Sequence, residues 1–149
     1  MAHFAEIKSS DNIVLRVVVI NDNDLINNGG EYTTESENWV ANNIPNDPFI
    51  LADHGGNYPT TYWKQTSYNN NARCLYAGPG FTYLADVDEF RPPKPFNSWT
   101  WDSENKVWAP PIAFCENTEE GATFWDEDNQ RWINGPGTKY WDGTAWQNV

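Results

Sequence analysis

"WTWDSENKVWAPP", residues 99–111, sets Trp101 and Trp108 seven positions apart around a polar run of Asp, Ser, Glu, Asn and Lys. A hairpin with an even loop centred between Glu104 and Asn105 puts those two indoles opposite one another. The same spacing recurs in "FTYLADVDEFRPP" (81–93), from Tyr83 to Phe90, and in "TFWDEDNQRWING" (123–135), from Trp125 to Trp132. In "KYWDGTAWQNV" (139–149) the interval from Trp141 to Trp146 is two shorter, which keeps the pair on one face. A two-residue turn at Gly143-Thr144, Gly first, fits type II′. Asp follows the first aromatic in three of the four copies.

The first two copies run on as "RPPKPF" and "APPIAF", to Phe96 and Phe114. Pro-Pro ends a strand and continues as a stiff extended connector. A cross-strand aromatic pair adds roughly 0.2–1 kcal/mol, too little to fold a lone hairpin. The hairpins must therefore pack on each other or on an N-terminal sheet.

That sheet is expected from "HFAEI", "KSSDN" and "IVLRVVVIND", a strand, a turn and a strand rich in Val and Ile. Simple alternation puts Val14, Arg16 and Val18 on one face and Leu15, Val17 and Val19 on the other. The single Arg predicts that its face is partly wet. "NDNDLINNGGEY" reads as a polar connection with a Gly-Gly break. Thr33 or Thr34 then caps a short helix, with Glu37 completing a capping box from Thr34, and Pro45 ends it. "PNDPFILADHGGNYPTT" reads as a loop, and Tyr62, Trp63, Thr66 and Tyr68 as a strand before the "NNN" and "GPG" turns.

The expected fold is mainly β (α+β). An antiparallel N-terminal sheet domain with one short helix spans 1–96. Aromatic hairpin repeats span 97–149, free-standing or docked on the same domain. Of 149 residues 39% are apolar, below the usual range of about 45–50%, and nine are Trp. Each Trp can bury roughly 150–250 Å², so the core is built from few, large aromatic pieces.

With 21 acidic and 9 basic residues the formal charge is −12. That argues against nucleic acid, whose phosphates call for clustered Lys and Arg, and against an anionic membrane surface. Assembly beside other copies then needs an apolar contact, a cation or a basic partner surface. The longest apolar run, "IVLRVVVI", is interrupted by Arg16, so no membrane span is expected. The opening "MAHFAEIKSSDN" has neither a basic stretch nor an apolar stretch of a secretory signal. Cys74 and Cys115 stand far apart with no CxxC, and are expected to be reduced thiols.

Catalytic patterns are sparse. Asp53 and His54 precede two glycines in "LADHGG" and read as a polar loop tip. The acidic turns "DSEN" and "DEDN" carry oxygen ligands for calcium, but Asp and Asn also favour turns for their own sake. Carboxylates are many, yet none pairs off as glycosidase residues do. The chain is expected not to be an enzyme and to hold no cofactor or metal. The candidate contact residues, for a protein or a glycan, are Trp99, Trp101, Trp108, Trp125, Trp132, Trp141 and Trp146. Trp99 has no partner within its own hairpin and is the first candidate for an open indole.

Three segments carry a resemblance: "MAHFAEI…NIVLRVVVINDNDL", "WKQTSYN…R…YAGPGFTY" and "DEFRPPKPFNSWTWDSENKVWAPP". They resemble a family of small virion-associated proteins of tailed phages of marine bacteria, cyanophages included, with similar "MAHFA", "WKQTSYN", "YAG-G-TY" and "PPKPF-SW" boxes. The likeness covers most of the chain. It departs around "PNDPFILADHGGNYPTTY" and in the extra Trp-Asp hairpins at the end. The resemblance implies a structural or accessory protein of the virion, made in the host cytoplasm and present in several copies. Such a protein binds other virion proteins, as capsid decoration or cement or on the tail or a fibre. The alternative it leaves open is a receptor- or glycan-binding module on a fibre.

Overall fold

β1 (Ala2–Lys8) and β2 (Val14–Ile20) form the hairpin that the Ser9–Asn12 turn predicts, and β3 (Thr61–Thr66) pairs with the other edge of β1. All pairings are antiparallel and the order is β2-β1-β3. The central position of β1 explains its sequence, since Phe4, Ala5 and Ile7 are all fully buried, on opposite faces. The computed structural model describes residues 1–115 and 121–149, in two compact units, Met1–Pro93 and Lys94–Val149.

One face of the first sheet carries Phe4, Ile20 and Trp63. Leu25 of α1 (Asp22–Asn27) and Val40 of α2 (Thr34–Asn43) pack on it. The other face carries Ala5, Ile7 and Val14. It is covered by Ala77 and by Tyr83 and Phe90 of the hairpin β4 (Thr82–Leu84) and β5 (Glu89–Arg91). Val14 is therefore on the face opposite Arg16, against the expectation from simple alternation. Arg16 pairs with Glu6 and Val14 with Ile7, so Leu15 is an extra residue in β2. Such a bulge reverses the face of everything beyond it.

The Arg16 face is partly wet, with Arg16 itself half-buried, and its arginine has a buried partner. Glu6, only 2% exposed, accepts from Arg16 Nε at 2.5 Å, from Tyr58 Oη at 3.0 Å and from Thr61 Oγ1 at 2.9 Å. The Arg16 guanidinium also donates to the Pro45 carbonyl at 2.7 Å and lies over the Trp63 ring. The arginine is there to satisfy a buried carboxylate, which would otherwise be strongly unfavourable.

α2 is the expected helix, but its cap is Thr33, whose hydroxyl accepts the Ser36 N–H at 3.1 Å. Glu37 is thereby freed from a capping box and reaches the open edge of β3. Its carboxylate meets Arg73 Nη1 at 3.0 Å and Lys64 Nζ at 3.2 Å, and Arg73 Nη1 also donates to the Gln65 carbonyl. The β3 edge is thus blocked by charged side chains, a common protection against strand addition. Two further helices replace expected loops: α1, capped by Asn21, and α3 (Pro48–Asp53), capped by Asp47 with Pro at the first position. Each is six residues long with one buried apolar side chain, too short to show periodicity. β3 ends at Thr66, so Tyr68 lies beyond the strand expected to hold it.

The second unit contains the other three hairpins. β6 (Thr100–Asp102) and β7 (Val107–Ala109) form a two-stranded ribbon. β8 (Thr123–Asp126), β9 (Arg131–Asn134), β10 (Lys139–Trp141) and β11 (Trp146–Asn148) form one sheet in the order β11-β10-β9-β8. Both packing solutions open to the repeats are used. The first hairpin closes the N-terminal sheet, and the last two build a core of their own with Trp99 and Ile112 from the segments flanking the second.

Candidate functional site

All four repeat pairs stand directly opposite one another: Tyr83 with Phe90, Trp101 with Trp108, Trp125 with Trp132 and Trp141 with Trp146. Asp88, Lys106 and Gln130, each five residues after the first aromatic of its hairpin, share a left-handed φ of 52°, 56° and 48°. The three long loops thus have the same backbone form. In the last hairpin the positive φ falls on Gly143, the first residue of its turn, as a type II′ turn requires.

The Asp after the tryptophan closes each turn. Asp102 accepts from the Glu104 and Asn105 N–H groups and from the Asn105 side chain. Asp126 accepts from the Asn129 side chain at 2.8 Å and from Arg131 Nε at 3.2 Å. Asp142 accepts from the Thr144 and Ala145 N–H groups, both at 2.8 Å. These bonds hold all three carboxyls below the ordinary carboxylate pKa. The largest cause is the Asn105 side chain for Asp102, the Asn129 side chain for Asp126, and the Ala145 N–H for Asp142.

Because β9 also pairs with β10, Trp141 lies opposite Trp132. Trp125, Trp132, Trp141 and Trp146 therefore form one row across four strands. The row faces a core shared with Phe96, Trp99, Ile112 and the buried thiol Cys115. Trp125 Nε1 donates to Glu127 at 2.7 Å, and the same carboxylate accepts from Ser98 Oγ at 2.7 Å. Trp132 Nε1 donates to the Ile112 carbonyl at 2.9 Å.

Trp99, expected to be the open indole, is the hub of this core. Its ring lies 5.6 Å from Phe96, 6.1 Å from Trp125 and 6.2 Å from Trp132. It lacks a partner within its own hairpin because its partners are Phe96 before it and the tryptophans of the next hairpin. Trp101 and Trp108 are half-buried against each other at 5.2 Å, with Lys94 Nζ 5.5 Å from the Trp108 ring. None of the nine indoles is exposed. The open aromatic rings belong to other residues: Tyr32, Phe49, Tyr68, Phe114 and Phe124.

Phe124 stands out among these because of its sheet position. Phe124, Ile133, Tyr140 and Gln147 are opposed in turn across the four strands, one position off the tryptophan row and so on the reverse face. Phe124 is 57% exposed. Tyr140 is partly covered by Arg131, whose guanidinium lies 4.6 Å from its ring and is held by Asp126 at 3.2 Å. A sign of this row was available in the sequence: the residue before the first Trp is aromatic in the last two copies and Thr100 in the second. The Asp53–His54 pair forms no centre. His54 caps the end of α3, with Nδ1 2.7 Å from the Ile50 carbonyl oxygen. Among the described residues no group of three or more His, Cys, Asp or Glu is placed to hold a metal.

No family model, curated protein or solved structure matches the chain.

Proposed function

We propose that this chain is a non-enzymatic structural or accessory component of a phage particle. It binds other particle proteins through the outer face of its four-stranded sheet. The observation that carries the reading is the division of labour across that sheet. Tryptophans fill the inner face, and a row of Phe124, Ile133 and Tyr140, flanked by the Arg131–Asp126 pair, lies on the outer one. Apolar and aromatic centres with a polar rim are what protein contact sites use. The surrounding charge, 21 acidic against 9 basic residues, favours a neutral or basic partner surface. The particle setting comes from the "MAHFA", "WKQTSYN" and "PPKPF" resemblance.

The test is a double substitution, Phe124→Glu with Tyr140→Glu, in the infecting genome. Neither ring belongs to the tryptophan core, so the variant is expected to fold, which its tryptophan circular dichroism checks. Its incorporation into purified particles is expected to fall to background. Incorporation at the level of the unaltered chain counts against the assignment of this face.

A further inference from the structure

The first unit holds an open polar cleft of about 250 Å³ where β3 ends. Gln65 lines it and is 2% exposed. Its Oε1 accepts the Tyr32 N–H at 2.6 Å, which fixes the orientation of the amide. Its backbone is held by Glu37 on the N–H and by Arg73 on the carbonyl. The Gln65 Nε2 donates to no described residue. Solvent reaches this nitrogen, so a water or a ligand in the cleft can accept from it.

Two tyrosines flank the cleft and both are braced. Tyr32 has a left-handed φ of 54°, uncommon for an aromatic residue. It is kept there by Gln65 and by Arg73, whose guanidinium lies 5.5 Å from its ring. Backbone strain sustained by its surroundings in this way clusters at binding sites. Tyr68 is 67% exposed, yet it is stacked on His3 at 5.6 Å, and Tyr76 meets both rings edge-on at 5.4 Å. An open ring already fixed in place loses little freedom when a ligand covers it. Glu31, Asn69 and Asn71 complete the lining, all exposed, and their side chains bond to no described residue.

We infer that this cleft binds one neutral sugar ring, free or at the end of a glycan. The hydroxyls of a pyranose both donate and accept, which suits the Gln65 and Asn amides and the Glu31 carboxylate. Its C–H face suits the open Tyr68 ring. An anionic ligand is disfavoured, because the lining holds no Lys or Arg among the described residues. The Met1 ammonium there is engaged by Asp22 at 2.6 Å. The volume is below the roughly 300–1,000 Å³ of a drug-sized site and matches a ligand of one ring. This site does not depend on the outer sheet face of the second unit.

The experiment is a titration of the isotope-labelled full chain, followed by two-dimensional NMR, with the methyl glycosides of glucose, galactose, mannose, fucose and N-acetylglucosamine. Tetramethylammonium chloride and inorganic phosphate form two further arms. At least one glycoside is expected to move the Gln65 side-chain amide and the Tyr68, Asn69 and Asn71 amides saturably, with a Kd of about 1 mM. Tyr68→Ala and Asn71→Ala, both at exposed positions, are each expected to weaken that binding at least tenfold, with other spectral changes confined to direct neighbours such as His3 and Tyr76. The inference is overturned if no glycoside gives a saturable shift, if both variants bind as the unaltered chain does, or if only the ammonium or the phosphate binds. Failure here leaves the particle reading standing, because that is judged on particle content alone.

Discussion

Glu6 and Arg16 show how much a single buried charge decides. Glu6 is satisfied by three side chains, and Arg16 is held in turn by the Pro45 carbonyl and the Trp63 ring. Removing one partner of such a pair costs roughly 3–5 kcal/mol, while replacing both with apolar residues costs far less. Glu6→Leu is therefore expected to lower stability in urea by about that amount, and adding Arg16→Leu should recover most of the loss. Equal losses in the single and double variants would refute the pairing. The turn aspartates make a pH prediction. Asp102, Asp126 and Asp142 have folded pKa values below the ordinary 3.8. A depressed carboxyl contributes stability above its unfolded pKa and loses it as pH falls through the folded value. Near-ultraviolet circular dichroism of the tryptophans should be flat from about pH 5 to 8 and decay below about pH 4. Tyr83, raised by burial and by donation to Asp88, should remain protonated at pH values that ionise an exposed tyrosine; an ultraviolet titration checks this.

Among the elements, the four-stranded sheet depends most on one row of side chains. Trp132 is buried in its middle, touching Trp99, Trp125 and Phe114. Trp132→Ala is expected to cost about 3–5 kcal/mol, a large share of the 5–15 kcal/mol that a domain typically has. Phe124→Ala on the reverse face should change stability by under about 0.5 kcal/mol. Chemical denaturation followed by tryptophan fluorescence separates the two. The hairpin registers were legible in the sequence, because seven-residue spacing around an even loop fixes which aromatics oppose. What could not be read was how one hairpin meets the next. Trp99 looked partnerless for that reason, and its neighbours Trp125 and Trp132 are fixed only by packing. The Leu15 bulge was hidden because nothing in "NIVLRVVVI" marks an extra residue. α1 and α3 carried cap signals, Asn21 and Asp47-Pro48, but one buried apolar residue each gives no period to detect. The cleft beside Gln65 was not foreseen, since it joins residues 1–3, 31, 32, 65–69 and 71 through the sheet and not through any motif.

Taken whole, the molecule is two aromatic β units under a charge of −12. Separate cores predict separate melting. Calorimetry of Trp132→Ala should lower the transition of Lys94–Val149 and leave that of Met1–Pro93 in place, and a single transition that shifts as a whole would contradict it. Net charge of this size keeps free copies apart in solution, so contact has to come from the apolar row or from a basic partner. The central claim is that the chain acts as a particle component by protein contact. Quantitative mass spectrometry of particles purified from the infection that produces it tests this most directly. The account predicts a constant number of copies per particle, reduced to background by Phe124→Glu with Tyr140→Glu. Particles that lack the unaltered chain altogether would contradict it.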